Sequence, residues 1–245
     1  MIKFFRNIRK KLISENQMGK YFKYAIGEIL LVMIGILLAL QVNNWNENRK
    51  LHQEGINLLK ELRKDVVFAI EELDTVAFYN NKNAEYLKEI QKYLYSDLPY
   101  NTVLDTAFGE LDLFHIPYLP VTAYETLKVR GLDRIQNDSL KVMITGFFDF
   151  GYQRINDMAD WEWSFNQNTT QRMMIGNIRR ATDINDTGAY PNDYNALKEN
   201  EEFGNFLNVL VILRLDHVGQ LTRLKGHAVE LLKVLDKELS SENHD

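Results

Sequence analysis

The sequence predicts an all-α protein: an N-terminal transmembrane helix followed by an antiparallel helical bundle of three long helices plus short connecting helices. Three observations predict it. Tyr24–Val42, YAIGEILLVMIGILLALQV, is 19 residues long and carries one charge, Glu28. As an α-helix it spans ~28 Å, close to the ~30 Å hydrocarbon core of a bilayer. Leu59 to Leu94 keeps an apolar seam at steps of three and four, and stripes of the same spacing run from Leu140 to Asn168 and from Phe203 to Leu235. The plan is a basic amphipathic segment over residues 1–23, a membrane span over 24–43 and a helical-bundle domain over 44–245.

The flanks of the span set its expected orientation. Seven basic side chains precede Tyr24 (Lys3, Arg6, Arg9, Lys10, Lys11, Lys20 and Lys23), against the single acid Glu15. The excess of positive charge predicts a cytoplasmic N-terminus and a periplasmic bundle. Ile2, Phe5, Ile8 and Leu12 share one helical face, so this lead could also lie on an anionic leaflet. A cleaved signal peptide is the competing reading. It fits poorly, because the apolar run exceeds the usual ~7–15 residues and no A-x-A site closes it. Residues 1–43 hold seven basic and two acidic groups, and the remainder 22 and 32, a net of −10. So acidic a domain lacks the basic footprint of a nucleic-acid binder. The absence of cysteine excludes disulfide and thiol chemistry.

Within the span, Glu28, Val32, Gly35 and Ala39 fall on one stripe. Gly35 and Ala39 make a small-xxx-small pair that permits close approach of another helix. This is the candidate transmembrane contact face; in the competing reading Glu28, near the cytoplasmic end, simply sits protonated or reaches the headgroups. The expected partners are the lipid bilayer and, through this face, a second copy or another membrane protein.

MIKFFRNIRKKLISEN, YAIGEILLVMIGILLALQVNNWNENRK and, more loosely, TAYETLKVRGLDRIQNDSL resemble a family of uncharacterised membrane proteins of flavobacteria and their relatives, a domain of unknown function. The resemblance covers the first ~50 residues and a block near the middle. It implies an inner-membrane protein with a periplasmic domain, and it implies neither an activity nor functional residues.

The seam Leu59, Leu62, Val66, Ala69, Leu73, Val76, Asn80, Asn83, Leu87, Ile90, Leu94 is heptad-like, a coiled-coil pattern broken only by the two asparagines. Asp97-Leu98-Pro99 ends it. A short helix is expected over residues 101–112 and an extended crossing over 113–121. Thr122-Ala-Tyr-Glu125 spells a capping box, and Gly131 suits the stop. Asn137 supplies the next cap for a helix to about Arg180, whose stripe is Leu140, Ile144, Phe147, Gly151, Arg154, Met158, Trp161, Phe165 and Asn168. Acids beside aromatics could make a ligand pocket, but Trp161 and Trp163 are read as core, and Asp157, Asp160 and Glu162 as a solvated face. Residues 182–190 read as a loop. Asp183 to Gly188 imitates the first half of a calcium loop, but position 12 is Tyr194 where a glutamate is needed.

The last helix, about Glu201 to Leu239, has the most regular stripe. Arg214 and His217 interrupt it and form the candidate polar core or pocket, with Asp149, Asp157, Asp160 and Glu162 available as partners. His227-Ala-Val-Glu230 reverses the order of a di-iron motif and occurs once. There is no phosphate loop, G-x-S-x-G, H-E-x-x-H or dinucleotide fingerprint. The expectation is therefore no enzyme, no catalytic residue, no metal and no cofactor. The expected role is a membrane-anchored periplasmic interaction or scaffold module, with a ligand-sensing bundle that signals through a partner as the alternative.

Overall fold

The computed structural model describes residues 18–96, 98–182 and 188–241. The amphipathic reading of residues 1–14 and the half calcium loop over 183–187 lie outside the described residues. The protein is all-α apart from one small hairpin, and it divides into two units, Met1–Gly55 and Ile56–Asp245. The boundary falls after the polar stretch that follows the span, close to where the seam begins to be buried.

In the first unit, helix α1 (Met18–Leu94) carries the apolar run. Its large apolar side chains from Ile26 to Val42 stand 49–64% exposed.

In the second unit, all eleven residues of the α1 seam from Leu59 to Leu94 are buried. After α1 come the short helices α2 (Leu104–Gly109) and α3 (Thr122–Arg130), joined by an extended crossing. The capping box does not form. Thr122 is already helical, and the Ala123 amide instead donates to Asp65 Oδ2 of α1 at 3.2 Å. Glu125 pairs with Lys128 one turn on. A carboxylate from a packed neighbour has displaced the local cap. Gly131 does end α3, at φ 98, a backbone state that favours glycine.

Asn137 caps the next helical run, its side chain accepting from the Leu140 amide at 3.1 Å. The run comprises α4 (Asp138–Thr145), α5 (Tyr152–Phe165) and α6 (Gln171–Asn177), linked by π-helical turns at Gly146–Gly151 and Asn166–Thr170. A π turn holds one extra residue, which rotates everything after it by about 100° relative to a regular helix. The expected stripe is therefore correct through Phe147 and wrong beyond it. Tyr152, Ile155, Ala159, Glu162 and Asn166 face inward, where the regular period placed Gly151, Arg154, Met158, Trp161 and Phe165. The reading of the tryptophans is reversed: Trp161 and Trp163 are 52% and 59% exposed, and Glu162 is 4% exposed. Gly151 sits at a close approach: a Cβ there would stand 2.5 Å from Leu224 Cδ1, so Leu224 would have to shift.

The run stops at Asn177 rather than Arg180. Strand β1 (Ile178–Arg180) pairs antiparallel with β2 (Ala189–Pro191), and Arg179 lies opposite Tyr190, so the expected loop is closed by a hairpin. Helices α7 (Tyr194–Lys198) and α8 (Glu201–Ser241) complete the chain. Every member of the predicted α8 stripe is buried.

The core has two apolar clusters. One joins Leu59–Val76 of α1 to residues of α3–α5 and to Leu221–Leu239 of α8. The other joins Leu87–Leu94 to α2, α6, the hairpin and Phe203–Val211.

Candidate functional site

Between the two clusters lies a layer of buried polar side chains: Asn80, Asn83, Glu162, Asn166, Thr170, Arg214 and His217. The layer follows from the segment running from Glu110 to His115. It is irregular: the amides of Glu110, Leu111 and Leu113 bond to nearby carbonyls, but no ladder or helix serves its other backbone groups, and each one left unpaired in the interior would be costly. Side chains supply the partners. Asn80 donates to His115 O at 2.8 Å and accepts from His115 N at 3.0 Å. Asn83 donates to Glu110 O at 2.7 Å, and Asn166 to Asp112 O at 2.8 Å. Arg214 Nη2 donates to Leu113 O at 2.9 Å.

Arg214 is 1% exposed. Its Nε donates to Asn83 Oδ1 at 2.9 Å, its Nη1 pairs with Glu162 Oε1, and its Cζ stands 5.5 Å from the centre of the Phe114 ring. Burial lowers its pKa to about 10, so it remains a cation at neutral pH. The other Glu162 oxygen, Oε2, lies 2.9 Å from His217 Nδ1. Burial first, and then the Arg214 charge, push the His217 pKa down to about 4. The neutral imidazole therefore keeps its proton on Nδ1 and donates it to the carboxylate. The result is one buried ion pair braced by a neutral donor, an arrangement whose disruption costs more than its formation gains.

An acid, a base and a cation within hydrogen-bonding reach are the groups of acid–base catalysis. Here the side chains of Glu162, Arg214 and His217 are at most 5% exposed. The three surface cavities described, of about 280, 190 and 440 Å³, are lined by other residues. None of these three cavities reaches the cluster, and its arginine bonds the chain's own backbone at Leu113 O. Among the described residues no group of three or more His, Asp or Glu is placed to hold a metal ion.

The structure thus buries Arg214 and His217 in a polar layer, with Glu162 as the partner among the four acids available. Asn166 and Thr170 had no sequence signal, because the stripe that would have exposed them was out of phase. Asn80 and Asn83 did have one: they break the α1 seam with the same three-residue spacing as Arg214 and His217 in α8. Two matched polar interruptions on two apolar stripes mark one shared layer. Of the candidate membrane face, Val32 is 54% exposed and a Cβ on Gly35 would meet nothing within 4 Å.

These features define a helical protein with an apolar N-terminal helix and a bundle pinned by a closed polar layer around an irregular crossing. A family model matches residues 28–171, well over half of the chain, and the chain belongs to that family, the family of unknown function DUF6090. The matched stretch contains Asn80, Asn83 and Glu162 and ends before Arg214 and His217. No curated protein and no solved structure matches the chain.

Proposed function

We propose that the protein is a single-pass, non-enzymatic scaffold of a bacterial inner membrane, with its N-terminus cytoplasmic and its bundle periplasmic. The observation that carries this reading is the closed polar layer. Arg214 donates to Leu113 O of the crossing and is paired with Glu162, which His217 braces, and all three side chains are at most 5% exposed. The apolar helix supports the anchor: its most apolar window has a mean hydropathy of 2.4 and is 0% buried, unlike the core helix of a soluble bundle. The basic lead supports the orientation.

A scaffold must hold something. The stripe of Val32, Gly35 and Ala39 is the face we assign to helix–helix contact within the membrane. The test is cross-linking of the full chain in native membranes, followed by sizing in mild detergent. The expected result is a homo-oligomer or a stoichiometric complex that Gly35→Leu with Ala39→Leu weakens. A monomer with no cross-linked partner would overturn the scaffold reading. A reporter that is active only in the cytoplasm, fused after Asp245 and found active, would overturn the orientation.

A further inference from the structure

The surface opens where the first π-helical turn meets α8, into a cavity of about 190 Å³. Its floor is apolar: Ile155 and Leu224 are 2% and 4% exposed. One wall is Phe150, 74% exposed, a large apolar ring left in water. The remaining side chains include Arg154, Arg223 and His227, and no carboxylate lines the cavity. Among the described residues, neither arginine has an ion-pair or hydrogen-bond partner.

That arrangement is at odds with its surroundings. The chain from residue 44 onward carries 32 acidic groups against 22 basic ones, yet two guanidiniums share one hollow with no acid between them. Like charges on one small cavity repel unless an anion is bound there. The backbone is also specialised at this point. π-helical turns occur frequently at functional sites. A Cβ on Gly146 would meet nothing within 4 Å, so the cavity side of the turn is open, while Gly151 lets Leu224 close the floor.

We propose that this cavity binds a small organic anion. A carboxylate or phosphate would sit between Arg154 and Arg223, whose planar forks match such groups. His227 would add a donor, and a flat or short apolar body would lie on Phe150, Ile155 and Leu224. The anion can come from a soluble metabolite-sized molecule or from an anionic lipid headgroup, and the chemistry recognised is the same. This site goes beyond the scaffold reading and does not rest on it.

The probe is phenyl phosphate, titrated into the full chain in phosphatidylcholine nanodiscs. Saturable binding at one site per chain is expected, tighter than that of inorganic phosphate, which lacks the apolar body. Arg154→Gln with Arg223→Gln should weaken it by roughly tenfold or more, equivalent to 1.4 kcal/mol. Phe150→Ala should weaken phenyl phosphate and leave inorganic phosphate unchanged. All three side chains are exposed, so an unchanged melting temperature will show that the variants are folded. A separate arm uses nanodiscs containing phosphatidylglycerol. Loss of phenyl phosphate binding there supports the site and assigns it to lipid headgroups; retained binding supports it and assigns it to soluble anions. No saturable binding up to millimolar probe, or binding indifferent to the double arginine substitution, would overturn the proposal.

Discussion

Helix α8 runs unbroken for 41 residues, whereas the run over residues 138–177 changes its winding twice, at the two π-helical turns. Both helices deliver charged groups to the same polar layer. α8 does so by keeping one face inward from Phe203 to Leu239. The middle run reaches the layer only because the turn at Gly146–Gly151 advances its phase by a residue, bringing Glu162 inward and Trp161 outward. The contrast shows how a buried contact between two helices can be set. Two regular helices fix each other's faces along their whole length, and a π turn lets one half of a helix be aimed independently of the other.

The sharpest way to break the comparison is to change helix phase by deletion. Removing Phe150 from the π turn should convert it to a regular turn and leave Glu162 in place, costing no more than a few degrees in melting temperature. Removing Asn156, an exposed residue of the regular helix α5, should rotate Glu162 by about 100° away from Arg214. That variant should fail to give a cooperative melt. If both deletions are equally harmful, the turn does not set the phase.

Next in size is Glu162→Ala. It leaves Arg214 charged and buried without a counter-ion, at a cost of about 3–5 kcal/mol. For a unit of this size that corresponds to a fall of roughly 6–20 °C in a thermal melt. A change within 2–3 °C of wild type, by the same scaling, would mean that Arg214 has found another anion or water.

His217 tests the same layer through pH. Its folded pKa of about 4 lies below its ordinary 6.5, so protons bind preferentially to the unfolded chain between these values. The stabilisation is complete above pH 6.5 and is lost as pH falls toward 4. It amounts to on the order of 3 kcal/mol. Melting temperatures of wild type and His217→Gln should differ in slope across that window and run parallel above it. Parallel curves throughout would show that the imidazole is not held neutral.

The smallest effect concerns what the two helices share. Asn137 caps one and Asn200 the other, accepting from Leu140 N at 3.1 Å and from Phe203 N at 3.0 Å. Replacing either by Ala should cost about 1 kcal/mol. Unequal losses in a denaturant titration would point to their second contacts, Asn137 with Glu238 and Asn200 with Asn177.

Legibility in the sequence follows the same division. The α1 seam and the α8 stripe could be read residue by residue, because a regular helix converts burial into spacing. The middle run could be read only as far as Phe147, because a π turn leaves no mark in a 3.6-residue pattern beyond the glycines at its ends. The capping box at Thr122–Glu125 failed for another reason: Asp65, distant in sequence, outcompeted the local residues. Arg214 and His217 were visible as interruptions. That Arg214 serves the Glu110–His115 backbone while His217 braces its counter-ion Glu162 was not visible, since nothing in an extended segment announces which helices will bond to it.

That crossing carries a consequence for the order of assembly. Its backbone partners come from α1, from the second π turn and from α8, so no pair of helices alone can hold it. Local helix formation and apolar collapse can proceed first, and the crossing can settle only after all three surfaces are present. Substitutions of Asn80 or Asn166 should then accelerate unfolding while leaving the refolding rate nearly unchanged, the kinetic signature of contacts made after the transition state. Stopped-flow chevrons on these two variants would show a slowed folding arm if the crossing is instead part of the nucleus.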